Sequence, residues 1–191
     1  METDLSRFDR HSAPFTPRFS RSDVVLIVVF AGLVVLGTVL ARFPIKMPGH
    51  SGVIWMALLV GAWNVLRKPG AVAIVGILSG VIGAVTGIGD KGALDTFFSY
   101  AAAGLGVEAV AVFAAPSAWS CALGGAAGNG LKFAAKSLLE SWLGLRSGFL
   151  VLGWSGSLLG HALFGLAGGL LGYYGAELFR RSRFASPGAR R

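Results

Sequence analysis

Six apolar segments, each near the length of a membrane-spanning helix, constrain this chain more than any other feature. A helix needs about 20 mostly apolar residues to cross the hydrocarbon core of a bilayer, at about 1.5 Å of rise per residue. The segments are 23–41, 51–66, 70–88, 94–115, 116–139 and 149–179. They predict an all-α integral membrane protein folded as a six-helix transmembrane bundle.

The composition disfavours most classes of soluble protein. Only 14% of the 191 residues are charged, whereas an ordinary soluble domain has about 25%. A single cysteine, Cys121, leaves no disulfide framework and no thiolate metal cluster. The net charge of +8 arises mainly from Lys and Arg at the chain ends and in short loops, a distribution that favours membrane topology over nucleic-acid binding.

The positions of the basic residues predict the orientation. Most of the 17 Lys and Arg residues fall in the two tails and in the loop around Arg67 and Lys68. Because basic loops tend to stay on the cytoplasmic side, both termini are expected inside the cell. The predicted organisation is a basic cytoplasmic tail over 1–22, a transmembrane domain over 23–179 and a second basic cytoplasmic tail over 180–191.

The sequence carries no Walker A loop and no motif of a soluble enzyme. The glycine-rich string over 83–89 (GAVTGIG) lacks the Lys-Ser/Thr that follows in a phosphate-binding loop, so we interpret it as helix packing. The chain is predicted to be neither an enzyme nor an ATPase, and no cofactor is predicted. His50 and His161 have no evident set of carboxylates or thiols with them, so no metal site is predicted.

Small residues four apart predict close contacts between helix backbones. The pairs Gly76/Gly80 and Gly165/Gly169 place such faces on the third and sixth helices. The neighbouring backbone could belong to this chain or to a partner protein.

Ionisable groups inside a membrane are costly, so they are candidates for function. Helix register places Asp95 and Lys132 within roughly 6 Å of each other in depth, toward the outer side, so the two could pair. Asn129 and His161 fall in the same layer. Glu108 lies roughly 14 Å deeper than Lys132, so it requires another partner.

This polar layer supports the hypothesis of a small-molecule pocket, because a few fixed polar groups in an apolar and aromatic surround are typical of ligand sites. The loop 43–50 would roof the pocket and contribute His50. Trp55, a few residues into the second helix, is the aromatic side chain best suited to face a ligand. The interpretation as an interfacial aromatic belt is preferred for Trp119, Trp142 and Trp154.

The layout resembles the substrate-binding S components of energy-coupling-factor (ECF) transporters. The resemblance covers about 24–179: six short helices, a first loop with PIKMPGHSGVIWM, and a glycine-rich third helix that runs into GIGDKG. It implies a receptor that binds a vitamin or a related organic micronutrient from outside. The candidate ligand contacts are then His50, Trp55, Asp95, Asn129, Lys132 and His161.

The same resemblance implies partners and a location. An S component docks onto a separate transmembrane coupling protein that works with two ATP-binding subunits, in a prokaryotic cell (inner) membrane. Family members often use small residues four apart on the first helix for this docking. Here that helix offers Gly37 and Ala41.

Other functions stay open from the residues alone. The chain could be a self-contained ion-coupled transporter or channel in which Glu108 carries protons or cations. It could also be a membrane scaffold whose glycine faces bind another membrane protein and no small ligand. A membrane enzyme has the least support, because no nucleophile, base and oxyanion site share one layer.

Overall fold

The computed structural model describes residues 19–40, 49–88, 92–144 and 153–184. Within these ranges it contains helices and no strand, which confirms the all-α prediction. The helices are α1 (Arg21–Leu40), α2 (Gly52–Leu66), α3 (Ala71–Thr86), α4 (Ala93–Ala111), α5 (Ala118–Trp142) and α6 (Gly153–Phe184). Each of the six apolar segments thus corresponds to one helix.

Two helix ends differ clearly from the prediction: α6 continues to Phe184 rather than ending near residue 179, and α4 ends at Ala111 rather than near residue 115. Pro116 disfavours helical backbone in the residue before it, so the chain turns ahead of the proline. Ser117 then caps α5, because its side chain accepts the N–H of Ser120 and the Ser120 side chain accepts the N–H of Ser117.

Two of the described helices are long and apolar enough to cross a membrane by themselves, namely α1 and the part of α6 over Gly153–Ser182. The α2 and α3 helices are apolar but shorter. One side of α1 exposes large aliphatic side chains, with Val25 60% and Leu40 64% accessible. An apolar stripe of this kind suits contact with lipid or with another membrane protein.

Successive helices run antiparallel, which gives the bundle two distinct ends. The loop end is where α1 connects to α2, α3 to α4, and α5 to α6. The turn end carries the turns over 67–70 and 112–117. The α5 helix packs between α4 and α6, and α3 packs on α4, while α2 packs on α6 and α1 lies against α2 and α3.

Glycines set the closest approach of α3 to α4. A Cβ atom built on Gly76 would lie 2.7 Å from the Gly104 Cα and 2.7 Å from the carbonyl oxygen of Tyr100. A Cβ atom on Gly80 would lie 2.8 Å from the carbonyl oxygen of Phe97. The predicted face of the third helix therefore packs within this chain.

The contact between α5 and α6 is closer still. A Cβ atom on Gly165 would lie 2.3 Å from the carbonyl oxygen of Gly125, and one on Gly169 would lie 2.1 Å from that of Cys121. The neighbour of the sixth helix is thus also in this chain. Gly37 faces α2, where a Cβ would lie 3.1 Å from Ile54 Cγ2, while Ala41 lies outside the described residues.

Glu108 has a structural partner at the turn end. Its carboxylate accepts the backbone N–H of Gly70 at 2.6 Å, of Val72 at 3.1 Å and of Ala73 at 3.3 Å. These are first-turn N–H groups of α3, which have no acceptor within their own helix. Gly70 precedes α3 with φ 81° and has no side chain to cap it, so the neighbouring α4 supplies the cap.

Candidate ligand-binding site

The charged residues of the predicted layer form a different ion pair from the one expected. Asp95 Oδ2 lies 3.5 Å from Lys136 Nζ, so the expected pairing of Asp95 with Lys132 is wrong. The α4 and α5 helices run antiparallel, and Lys136 lies one turn nearer the loop end than Lys132. That turn brings Lys136, and not Lys132, to the level of Asp95.

Lys132 instead contacts Trp55, with its Nζ 3.5 Å from the centroid of the indole ring. Trp55 also stacks on Tyr100, with ring centroids 4.3 Å apart and planes inclined by 10°. The Tyr100 hydroxyl forms a hydrogen bond with Thr38 of α1. Cation–π and stacking contacts therefore fix the orientation of the Trp55 ring between α4 and α5.

Asn129 joins α5 to α6 and to the segment before α2. Its Nδ2 donates to the carbonyl oxygen of His161 at 2.7 Å and to that of Gly49 at 3.5 Å. The amide also packs directly on Gly52, where a Cβ atom would lie 2.1 Å from Nδ2. Any larger side chain at position 52 would displace Asn129, and a Cβ atom on Gly49 would lie 2.7 Å from the His161 Cα.

His161 of α6 borders the same region as Asn129. Its ring lies 4.6 Å from the Phe133 ring, centroid to centroid, and its Nδ1 lies 2.8 Å from the carbonyl oxygen of Ser157. His50 lies just before α2 and is half-buried. No group of three or more potential metal ligands is found among the described residues. The remainder of the predicted roof, residues 43–48, lies outside the described part of the chain.

Four buried polar atoms of this region have no hydrogen-bond partner among the residues that the structure describes. They are Trp55 Nε1, Asp95 Oδ1, Ser99 Oγ and Asn129 Oδ1. Trp55 and Ser99 are each 4% exposed and Asn129 is 0% exposed. Buried polar groups in native proteins nearly always have a partner, so a group of unpaired ones calls for water or a ligand.

Contacts and helix register place the residues that carry these four atoms at neighbouring levels of the bundle. Ser99 follows Asp95 by one helical turn on the α5 side of α4. One turn further, the carbonyl oxygen of Ala103 lies against Gly128 of α5, where a Cβ atom would be 2.9 Å away. Ser99 therefore lies between the level of the Asp95–Lys136 pair and that of Gly128, close to the level of Lys132.

Sequence reasoning named six ligand contacts, and their role stays a prediction: His50, Trp55, Asp95, Asn129, Lys132 and His161. In the structure Lys132 contacts Trp55, and Asn129 contacts the backbone of His161. Sequence reasoning missed Ser99, Tyr100 and Phe133. Position 99 could have been found, because it lies four residues after Asp95 and so shares its helix face. Nothing in the sequence marked Tyr100 as the stacking partner of Trp55, since that contact joins two helices that are distant in the chain.

A double-mutant cycle tests the new ion pair. Asp95→Asn and Lys136→Met are expected to show a coupling energy of about 1 kcal/mol in the unfolding free energy, because the side chains are only partly exposed. The same cycle with Lys132→Met should give a coupling near zero. Thermal or denaturant unfolding in detergent micelles measures both. A larger coupling with Lys132 than with Lys136 would contradict the geometry.

Two cavities of the described region lie elsewhere in the bundle, and none of the four unpaired atoms lines them. A groove of about 420 Å³ between α1, α2 and α6 is lined by residues such as Phe30, Gly61 and Gly175, and none of its lining side chains carries a polar atom. A cavity of about 170 Å³ at the turn end is lined by Arg67, Lys68 and Glu108. Glu108 already caps α3, and Lys68 already pairs with Asp23.

No family model and no curated protein matches the sequence. Among solved structures, the chain is similar to one titled "Crystal structure of an S-component of ECF transporter". The two are 22% identical, the match covers 87% of this chain and 86% of that chain, and the TM-score is 0.61. The resemblance drawn from the sequence is thereby confirmed in three dimensions, and the chain has the fold of an S component of an ECF transporter.

Proposed function

We propose that this chain is a substrate-binding membrane receptor of the ECF type. It binds a small organic micronutrient, such as a vitamin or a vitamin precursor, at the loop end of the bundle. The observation that carries the proposal is the group of four unpaired buried polar atoms at Trp55, Asp95, Ser99 and Asn129. The fold supports it, because the similar solved structure is described as an S component.

The energetic cost of these atoms favours a ligand site over a purely structural core. Each buried polar atom without a partner costs about 1–3 kcal/mol. Four of them amount to a substantial fraction of the 5–15 kcal/mol by which a typical protein is stable. A ligand that pairs with them recovers this energy on binding, so these atoms can contribute to affinity.

We further propose that all six helices span the membrane, with both termini in the cytoplasm and the ligand site opening outward. The positive-inside distribution supports this orientation. Trp119 and Trp142 support the spanning of α5, since they are 79% and 81% exposed near its two ends. About 35 Å of helix separates them, close to the thickness of the hydrocarbon core. The tails over 1–22 and 180–191 are then cytoplasmic.

The receptor would work with a separate transmembrane coupling protein and two ATP-binding subunits in a prokaryotic cell membrane. The sequence supports this division because it has no ATPase motif of its own. The multi-pass receptor alone would bind its ligand, and transport would require the energy of the ATP-binding subunits.

Affinity purification from native membranes tests the receptor function. Mass spectrometry is expected to find two ATP-binding subunits and a second membrane protein with the full-length chain, together with a released small molecule. Recovery of the chain with neither would contradict the proposal. A single unrelated membrane protein as the partner would favour the scaffold instead.

The bonding of Glu108 favours the receptor over the ion-coupled transporter. Its carboxylate already accepts three N–H groups, so protonation would break a helix cap rather than load a free carrier site. ATP-dependent uptake by the reconstituted complex is therefore expected to persist in a Glu108→Gln variant that folds. Uptake that follows an ion gradient and disappears in this variant would instead support the ion-coupled transporter.

A further inference from the structure

The four unpaired atoms differ in what they require from a ligand. Asp95 Oδ1 and Asn129 Oδ1 can only accept a hydrogen bond, Trp55 Nε1 can only donate one, and Ser99 Oγ can do either. The assignment at Asn129 is fixed by its surroundings, because Nδ2 faces the carbonyl oxygens of His161 and Gly49. If the amide oxygen and nitrogen exchanged places, the amide oxygen would face these two carbonyl oxygens, and three acceptors would repel one another.

A complementary ligand therefore presents at least two donor hydrogens and at least one acceptor. A carboxylate or a phosphate offers acceptors and leaves the oxygens of Asp95 and Asn129 unpaired. An alkylammonium offers donors and leaves the N–H of Trp55 unpaired. The site therefore favours a molecule that carries both kinds of group.

The dimensions limit the size of the recognised part. Lys136 pairs with Asp95, and Asn129 lies seven residues nearer the turn end on α5, which corresponds to about 10 Å. Ser99 lies between these two levels. One or two fused rings match this length.

The surrounding side chains favour a flat molecule. Aromatic rings from four helices line the region, namely Trp55, Tyr100, Phe133 and His161. The ring of Trp55 stacks on Tyr100, and Lys132 Nζ lies over the Trp55 ring. Its N–H edge, in contrast, has no partner among the described residues. A planar ligand ring that lies in the plane of the indole can accept the hydrogen of Nε1. The two faces of the ligand ring can then contact aromatic side chains.

We propose that the ligand of this site is a flat nitrogen heterocycle whose edge combines N–H donors with a ring-nitrogen or carbonyl acceptor, as in an aminopyrimidine or a lactam. Its donors bond the oxygens of Asp95 and Asn129, and its acceptor receives the N–H of Trp55. Ser99 completes the set as donor or acceptor. This identification of the ligand class rests on the receptor function proposed above.

A panel of four small probes tests the class on the purified full-length protein. Isocytosine is flat and has donors and acceptors, benzoate has acceptors only, benzylammonium has donors only, and proline has both but is not flat. Isocytosine at ten times its dissociation constant is expected to raise the Tm by about 4 °C. The other three should shift the Tm by clearly less at equal concentration.

Variants connect this shift to the unpaired atoms. Ser99→Ala removes a buried hydroxyl that has no partner among the described residues, so the Tm of the empty protein is expected to rise slightly. The affinity for isocytosine should fall roughly tenfold, because one hydrogen bond is lost. Trp55→Phe should weaken binding at least as much, since an aromatic ring remains but the indole and its N–H are removed.

Ser79→Ala is the matched control. Ser79 is 0% exposed, but its Oγ donates to the carbonyl oxygens of Val75 and Ala31 and lies on α3. This variant should lower the Tm of the empty protein and leave the isocytosine affinity unchanged. A merely structural role of Ser99 would make the two serine variants behave alike, and that result would count against the assignment.

The outcomes separate the ligand class from the receptor function. Stabilisation by benzoate, benzylammonium or proline that equals or exceeds that by isocytosine overturns the ligand class, and so does a panel in which no probe stabilises the protein. Co-purification with the ATP-binding subunits would still support the receptor function in either case. Binding of isocytosine without any coupling subunits would leave the ligand class standing and overturn the receptor function.

Discussion

Replacing Glu108 with alanine is expected to lower the free energy of unfolding by about 3 kcal/mol or more, because three N–H groups of α3 lose their acceptor at once. Glu108 is only 8% exposed, so water replaces the carboxylate poorly. Glu108→Gln keeps one side-chain oxygen but loses the charge that favours a helix N-terminus, and an intermediate loss is expected. Chemical unfolding in detergent micelles measures both.

Glu177→Ala serves as the control for a lost carboxylate. Glu177 pairs with Arg180 and Arg181 on the surface of α6, and its side chain is 32% exposed. Exposed pairs of this kind contribute about 0–1 kcal/mol, so this variant should unfold almost as the unmodified protein does. Equal losses in the Glu108→Ala and Glu177→Ala variants would show that the cap on α3 does not stabilise the bundle.

Gly169→Ala is expected to destabilise the protein by about 1–3 kcal/mol, although alanine is the better helix former. The added methyl group would lie 2.1 Å from the carbonyl oxygen of Cys121 and 3.0 Å from the Ala122 Cα. Both obstacles are backbone atoms of α5, so the two helices must move apart. The midpoint of thermal unfolding in detergent should fall by several degrees.

Gly175→Ala provides the comparison on the same helix. A Cβ atom at Gly175 meets nothing within 4 Å, so the substitution should leave the stability unchanged or raise it by up to about 1 kcal/mol. A fall in Tm of the same size in both variants would mean that helix packing does not explain the effect at Gly169.

Helix number and type followed from the sequence because they depend on local patterns. Apolar runs of sufficient length, stops such as Pro116 and basic clusters such as Arg67–Lys68 are all visible along the chain. The glycine pairs on the third and sixth helices likewise predicted close contacts. The sequence did not say whether the neighbouring helix was in this chain, because the same spacing serves packing within one bundle and between two proteins.

The candidate site was predictable in composition but not in its contacts. Depth along each helix placed Asp95, Asn129, Lys132 and His161 in one layer, since the rise per residue is fixed. The partner of Asp95 depended on the relative shift of α4 and α5, and a difference of one turn exchanged Lys132 for Lys136. The stack of Trp55 on Tyr100 depended in the same way on how α2 packs against α4.

The sequence by itself determined the six apolar segments that form helices in the described part of the chain, and the spacing of polar groups along each of them, because hydropathy, proline stops and helical rise act within one segment. Only the tertiary structure decided which groups meet: Glu108 with the N-terminus of α3, Asp95 with Lys136, and Lys132 with Trp55. The physical reason is that side-chain pairing across helices is set by rotation and register between segments. Close contacts at glycines such as Gly125 and Gly165 fix that register, and it is not encoded in any one segment.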